Sequence, residues 1–303
     1  MSVLALAVGA SAAHAARPPL VVGIADQKTE MFTDPLFTGL KLSDARVAIA
    51  WNALHVGWQR RELDAWMTAA HAAGVRPLVT FDHARSASAR KRKQLPRPEQ
   101  LAHELRMLRR RYPFVHQFAA WNEANYCGEK TCHRPELVAA YYRALKLACP
   151  SCRILAAELL DMPGMTEWVK AFVHKARLQP KYWGLHNYLD ANYLRTSGTR
   201  ALLRATTGEI WFTETGGIVK RRNGSRVRGF TESATHAAIA TRWVFNKLAA
   251  LNPRRITHVY LFHWNPSTTH DSWDSGLVNI HDQPRPAYRV LKKFLAALAR
   301  RSA

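Results

Sequence analysis

The chain has 303 residues and a formal net charge of +22, from 44 basic and 22 acidic residues. Hydrophobic residues make up 48% of it, as in ordinary globular proteins, and the length is sufficient for one domain with a full core. No apolar stretch reaches membrane-spanning length, so we expect no membrane span. The charge favours a polyanionic partner, such as an acidic polysaccharide, although a charge that serves only solubility explains it equally well.

The N-terminus has features of a secretory signal peptide. Residues 3–13 are apolar and rich in small side chains, and an Ala-x-Ala-like cleavage site ends near Ala16. The segment lacks the usual positive charge at its start, and an irregular terminus is the alternative. We therefore expect a signal peptide at residues 1–16 and a mature catalytic domain at residues 17–303. The protein would be secreted and extracellular, or associated with the cell wall.

Four cysteines occur as two close pairs, Cys127 with Cys132 and Cys149 with Cys152. Their spacing allows a zinc site. However, residues 134–148 between the pairs have the periodicity of one helix, and about 15 helical residues separate the ends by more than about 20 Å. We therefore predict two local disulfides, which suit an exported protein. A redox role for the second pair is a further alternative.

Apolar, strand-like runs alternate with helical patterns along the mature chain. Strands are predicted at residues 20–26, 45–51, 75–81, 115–121, 153–157, 182–188, 209–213 and 256–262. Helices are predicted at residues 59–73, 98–112, 134–148, 165–176, 199–206, 232–251 and 286–301. This alternation implies parallel βαβ units, and eight strands favour a single α/β domain closed into a (β/α)8 TIM barrel. An open doubly wound sheet is the alternative, but its Gly-rich turn after the first strand is missing.

Candidate functional side chains follow the strands, because the C-terminal ends of parallel barrel strands meet at one mouth. Glu123 follows the fourth strand, directly after Asn122, and Glu214 ends the seventh. An ionised glutamate is costly to bury without partners, so both indicate a site rather than packing. Paired carboxylates across a cleft are suited to cleaving glycosidic bonds. The other candidates at strand ends or within strands are Arg46, His83, His186, Tyr188 and Trp264.

This ordered set of residues resembles the clan A glycoside hydrolases, the 4/7 superfamily, and most closely its family 5 and family 39 types. The resemblance implies a retaining glycosidase in which Glu214 is the nucleophile and Glu123 is the acid/base residue. It implies a carbohydrate substrate and requires no metal or cofactor. Transglycosylation would use the same residues.

The resemblance also implies supporting roles around the two glutamates. Arg46 would hold Glu214 charged and oriented, and the Tyr188 hydroxyl would donate a hydrogen bond to it. Each of these side chains has a structural alternative, as a core residue or an ion-pair partner. Substrate-binding roles are implied for Arg46, His83, Asn122, His186, Tyr188 and Trp264.

Two acidic residues after the fifth strand, Glu158 and Asp161, are expected to be solvated or to cap helices rather than to bind substrate. Basic clusters occur in the loops at residues 85–97 and 216–229, after the third and seventh strands. Both loops should border the mouth, which favours an acidic glycan, unless they are simply solvated. Trp183 and Trp211 lie within strands and are expected in the core.

Two other functions fit parts of the sequence. A non-catalytic protein that binds glycan or cell wall could use the same scaffold and the same residues for recognition. A polyanion-binding protein would explain the charge but not the acidic residues at the strand ends. We expect no specific nucleic-acid partner, and a monomer.

Overall fold

The computed structural model describes residues 19–86, 88, 94–221 and 230–302 of the chain. The predicted signal peptide lies outside the described residues, and so do residues 89–93 and 222–229 of the two basic loops. In the part that is described, no helix is both long and apolar enough to cross a membrane.

Parallel strands form the centre of the fold. They are β1 (Val21–Ala25), β2 (Asp44–Ala50), β3 (Arg76–Asp82), β4 (Gln117–Ala119), β5 (Arg153–Leu155), β6 (Glu158–Leu160), β7 (Tyr182–His186), β8 (Glu209–Thr215) and β10 (Ile256–Phe262). Two further short strands, β9 (Lys220–Arg221) and β11 (Trp273–Asp274), form a separate antiparallel pair.

The main sheet closes into a barrel. Its order is β5-β4-β3-β2-β1-β10-β8-β7-β6, with every neighbouring pair parallel. β5 and β6 are halves of one chain segment, and this segment bonds to both of its neighbours. The Ala120 amide donates to the Leu155 carbonyl at 3.1 Å, and the Gly184 amide donates to the Ala157 carbonyl at 2.9 Å. The predicted (β/α)8 architecture is therefore confirmed.

Helices cover the outside of the barrel. They are α1 (Pro35–Thr38), α2 (Gly57–Ala72), α3 (Pro98–Arg111), α4 (Pro135–Ala148), α5 (Met165–Ala176), α6 (Tyr188–Asn192), α7 (Ser197–Ala205), α8 (Ala234–Trp243) and α9 (Pro286–Ser302). Proline begins α1, α3 and α4, where its missing amide proton costs nothing. α8 continues into the π-helical turn Val244–Leu248, and together they match the long helix predicted there. The prediction missed α1 and α6, which are too short to show a helical period.

The core has two layers, because strand side chains alternate between the two faces of the sheet. The larger layer lies between the barrel and the helices, and it includes Trp183. A small inner cluster fills the barrel around Trp211 and Tyr260, which are both fully buried. The core positions predicted for Trp183 and Trp211 are confirmed.

Both predicted disulfides are present, between Cys127 and Cys132 and between Cys149 and Cys152. Their Cα atoms are 4.8 and 5.3 Å apart. All four cysteines are therefore paired, and the zinc-site alternative is wrong. The first disulfide closes the loop that follows β4.

Candidate active site

Arg46 lies at the centre of the polar cluster at the mouth of the barrel. It points inward from β2 and is only 1% exposed. Its Nη1 donates to Glu214 Oε1 at 2.6 Å, its Nε donates to Glu158 Oε1 at 2.9 Å, and its Nη2 contacts Glu158 Oε2. Burial alone would lower the pKa of Arg46, but the charges on Glu158 and Glu214 raise it above its ordinary value. Arg46 is therefore a fixed cation that links the two carboxylates.

Glu158 belongs to this cluster, although the sequence analysis did not predict it there. It is fully buried, and it also accepts a hydrogen bond from Thr80 Oγ1 at 2.9 Å. Burial pushes its pKa up, but the charges and hydrogen bonds of Arg46 and His186 together outweigh burial and hold the pKa at about 2. The expected solvated or capping role is wrong for Glu158, because a buried Arg46 needs a counter-ion beyond Glu214. The available signal was the arginine itself, placed within an apolar strand.

Asp161 has the capping role that was expected. Its carboxylate accepts from the backbone amides of Leu189 and Asp190 at 3.1 and 2.7 Å, in the first turn of α6. It is buried rather than solvated, and burial raises its pKa to about 8.

The structure brings Glu123 and Glu214 together around His186. His186 Nδ1 lies 3.1 Å from Glu123 Oε1 and 3.9 Å from Glu214 Oε2. One carboxylate oxygen of each glutamate and a ring nitrogen all lie within 4.8 Å of one another. Glu123 has a backbone φ of +40°, a region that non-glycine residues rarely adopt and that is common at functional sites.

His186 is a buried cation in this arrangement. It is fully enclosed, and its Nε2 lies 3.4 Å from Glu158 Oε2. Burial lowers its pKa, but the charge on Glu214 and the bonds to Glu123 and Glu158 raise the pKa to about 10. A protonated ring can donate from Nδ1 to Glu123, which orients that carboxylate towards Glu214.

Tyr188 contacts Glu214 directly, whereas Asn122 contacts Arg46. Tyr188 donates its hydroxyl to Glu214 Oε2 at 3.3 Å. Burial and the charges on Glu214 and Glu123 raise the pKa of Tyr188 well above its usual value, so the hydroxyl remains a donor. Asn122 Oδ1 accepts from Arg46 Nη2 at 2.9 Å.

His83 belongs to a different cluster. Its Nδ1 lies 2.9 Å from Asp82 Oδ1 and 2.6 Å from Glu129 Oε2. The bonds to Asp82 and Glu129 raise its pKa to about 10, and burial raises the pKa of Glu129 to about 7. The three side chains are close enough to share a metal ion, but the distances are those of an imidazolium shared by two carboxylates. His83 therefore connects β3 to the disulfide-closed loop that carries Glu129.

Trp264 does not lie in the polar cluster at the mouth of the barrel, where the sequence analysis predicted it to bind substrate. Its side chain is 1% exposed. The ring packs edge-on against Phe37 at 5.5 Å, and its Nε1 donates to Asp34 Oδ2 at 2.8 Å. The indole therefore lies in the core, and it offers no free face to a sugar. It follows β10, beyond the point where strand alternation determines the direction of a side chain.

Other aromatic rings lie beside Tyr188 and the end of β10. Trp273 of β11 contacts Tyr188 edge-to-face at a centroid distance of 4.9 Å. Phe262, the last residue of β10, is partly exposed and packs against the inner core cluster. Strand β11 has two residues, too few for a periodic pattern, so the sequence analysis missed Trp273.

The basic loops are described only in part. Arg85 Nη2 donates to the Ala48 carbonyl at 3.0 Å, and Arg221 Nε donates to Glu232 Oε1 at 2.7 Å. Lys220 Nζ donates to the Thr269 carbonyl at 3.4 Å. The predicted cluster members Arg90, Lys91, Arg92, Lys93, Arg222, Arg226 and Arg228 lie outside the described residues.

We expect the free energy of unfolding to fall as the pH rises from about 6.5 to about 10. The pKa values of His83 and His186 rise on folding from the ordinary 6.5 to about 10. The folded protein then holds their protons more tightly, so this stabilisation is complete below pH 6.5 and is lost as the pH passes 10. Urea unfolding at several pH values measures the slope.

Two variants and a control test the source of this slope. His83→Asn and His186→Asn should each flatten the alkaline decline, whereas His174→Asn, on the exposed face of α5, should leave it intact. Equal slopes in all three variants would contradict the assignment.

The solved structures that match this fold include several glycoside hydrolases. A family 39 glycoside hydrolase from the gut symbiont Bacteroides cellulosilyticus matches with a TM-score of 0.59 and 15% identity, over 93% of this chain and 64% of that one. A family 5 enzyme from Streptomyces cattleya, in complex with GlcNAc, matches with a TM-score of 0.67 and 14% identity, over 94% of this chain and 81% of that one. A family 39 β-xylosidase from Caulobacter crescentus matches with a TM-score of 0.60 and 18% identity, over 93% of this chain and 73% of that one.

These similarities establish the class of fold. No protein-family model and no curated protein sequence matches the chain. The chain spans about two thirds of the length of the first of these structures. It has the (β/α)8 fold of the glycoside hydrolases, as the strand-end pattern predicted.

Proposed function

We propose that the protein is a retaining glycoside hydrolase that cleaves O-glycosidic bonds of an oligosaccharide or polysaccharide. The observation that carries the proposal is the approach of Glu123 and Glu214, whose nearest carboxylate oxygens lie within 4.8 Å. Retaining enzymes place their two carboxyl groups about 5–5.5 Å apart, so that one attacks the sugar directly, whereas inverting enzymes leave about 6.5–9.5 Å for a water molecule. A separation of this size supports the direct attack of the retaining arrangement.

Glu214 is the nucleophile in this proposal. Arg46 holds one of its oxygens at 2.6 Å and Tyr188 the other at 3.3 Å. These two contacts hold the carboxylate in place, aimed at the anomeric carbon. Attack forms a covalent glycosyl ester and displaces the leaving oxygen.

Glu123 is the acid/base residue. It first protonates the leaving oxygen and then takes a proton from the water that hydrolyses the ester. Its side chain is 22% exposed, against 13% for Glu214, which suits a group that exchanges protons with water. His186, at 3.1 Å, orients it. Asn122, which accepts a hydrogen bond from Arg46, would bind the sugar 2-hydroxyl.

The protein is also proposed to act outside the cytoplasm. The signal-like N-terminus and two disulfides support export, because disulfides persist in oxidising compartments. The matched β-xylosidase and the GlcNAc complex suggest β-linked neutral sugars as the first substrates to test.

The test is a panel of aryl β-glycosides and soluble polysaccharides, followed by proton NMR of the first product. We expect the β-anomer to appear first and the α-anomer to follow by mutarotation. If the α-anomer appears first, the enzyme inverts and Glu214 is not a nucleophile. Binding of a polysaccharide without turnover would instead select the non-catalytic alternative.

A further inference from the structure

A groove lies at the C-terminal end of β2, the strand that carries Arg46. It has a volume of about 430 Å³ and is lined by the turn after β2 and the first turns of α3, within the range of about 300–1,000 Å³ for small-molecule sites. The Trp51 amide donates to the Asp82 carbonyl, and the Asn122 amide donates to the Phe81 carbonyl, both at 2.8 Å. The groove therefore opens on the same rim as Asn122, two strands away along the barrel.

The wall of this groove combines an aromatic ring with unpaired polar atoms. Trp51 is partly exposed, and it packs against the core on its other side. Glu104 has a side chain that is 5% exposed, and its Oε1 lies 2.7 Å from His55 Nε2. Three polar atoms of the wall are buried and have no hydrogen-bond partner within the described ranges, namely Glu104 Oε2, Asn52 Oδ1 and Trp51 Nε1. Buried polar atoms without partners are unfavourable, so a ligand that pairs them is stabilised.

The unpaired atoms specify what such a ligand must offer. The indole N–H of Trp51 needs an acceptor, whereas the oxygens of Asn52 and Glu104 need donors. A hydroxyl group supplies both. A sugar ring carries several hydroxyls and has an apolar face of C–H groups that packs on an aromatic ring.

The charge of the groove favours a neutral sugar over an acidic one. Among the residues that the structure describes, its lining includes Glu99 and Glu104 but no lysine or arginine, in a chain whose net charge is +22. The two glutamates would repel a uronate carboxylate and would accept bonds from neutral hydroxyls.

We propose that this groove binds a neutral hexose or pentose unit of a glycan chain whose cleaved bond lies in the catalytic mouth. The inference rests on the proposed function for its choice of a glycan. It narrows the substrate to polymers that contain neutral units and are long enough to extend from the barrel mouth to this groove. Trp51 supplies the packing face, and Asn52 and Glu104 supply the acceptors.

The experiment is affinity electrophoresis through gels that contain arabinoxylan, glucomannan or mixed-linkage β-glucan. The inactive Glu214→Gln protein serves as the parent, so that the polymer survives. Trp51→Ala should weaken retardation by one of these polymers by roughly fivefold, the scale of one aromatic packing contact. Trp51→Phe should lose less, since it retains a ring. Trp58→Ala, a tryptophan that is 46% exposed on α2 and does not line the groove, should match the parent.

A second variant guards against misfolding of Trp51→Ala. His103→Arg adds bulk and positive charge to an exposed groove residue on α3 without touching the core. It should weaken retardation as Trp51→Ala does, with an unchanged melting temperature. The proposal is overturned if both variants, while folded, migrate like the parent on every neutral polymer.

The outcomes separate this proposal from the proposed function. If the wild-type protein cleaves glycosides but the Trp51 and His103 variants bind polymer normally, the groove proposal fails and the enzyme stands. If no glycoside is cleaved but neutral polymers are bound through Trp51, the groove stands and the hydrolase proposal fails.

Discussion

Glu214→Ala is expected to abolish turnover of an aryl β-glycoside that the wild-type protein cleaves, by about 10⁴-fold or more. Glu158, which is bonded to the same Arg46, is fully buried and is not placed to replace it. Sodium azide should restore product formation, since the truncated side chain leaves room for a small anion. Azide would attack from the vacated face and give the α-glycosyl azide, which NMR identifies.

Glu123→Ala should behave differently with the same reagents. An activated leaving group such as dinitrophenolate needs little protonation, so the glycosyl ester still forms and its hydrolysis becomes slow. Loss of the acid/base group should lower turnover of less activated glycosides by about 10²–10⁴-fold. Azide should now intercept the ester and give the β-glycosyl azide.

The two azide products assign the two glutamates independently. Glu136→Ala is a suitable control, because Glu136 is about half exposed in the first turn of α4, and its turnover should match the wild type. If Glu214→Ala gave the β-azide and Glu123→Ala the α-azide, the roles would be reversed. Normal turnover in both variants would remove the mechanism altogether.

Glu158→Gln is expected to lower the free energy of unfolding by about 3–5 kcal/mol, the usual effect of removing one partner of a buried ion pair. Arg46 and Glu158 are 1% and 0% exposed, so the guanidinium would keep its charge without water to solvate it. Urea denaturation at pH 6.5 measures the change.

An exposed ion pair provides the matched comparison. Arg111 and Asp64 form a similar contact at 2.6 Å, but their side chains are 46% and 33% exposed. Asp64→Asn should therefore cost about 0–1 kcal/mol. Equal losses for Glu158→Gln and Asp64→Asn would show that the Arg46 cluster is not a buried ion pair in solution.

Glu158→Gln should also reduce activity while the protein is folded. Glu158 is a positioning residue, because it acts on Glu214 through Arg46. Assays well below the melting temperature should show a lower kcat with little change in KM, since the substrate contacts remain. A purely structural residue would leave both constants unchanged under those conditions.

Local features of the sequence were sufficient for the fold and for bringing together the proposed catalytic pair. The alternation of apolar runs and helical patterns identified all eight barrel positions, because burial against two layers imposes a period on each strand. Glu123 and Glu214 stood at predicted strand ends, and parallel strands bring those ends together. Both disulfides followed from short spacings, which only local pairs can satisfy.

Side-chain directions and long-range pairing were decided by the tertiary structure. Glu158 pairs with Arg46 across 112 positions of sequence, and nothing next to Glu158 in the chain indicates that partner. Trp264 lies just beyond the end of β10, where a change of backbone direction of a single residue moves a ring from the mouth into the core.

The sequence by itself therefore determined the barrel, its closure into one mouth and the two glutamates at that mouth, because each depends on patterns repeated within a few residues. Only the tertiary structure decided which buried charge balances Arg46 and which aromatic ring lies beside Tyr188. Those contacts join segments far apart in the chain, and their energies depend on burial and distance, which no local pattern encodes.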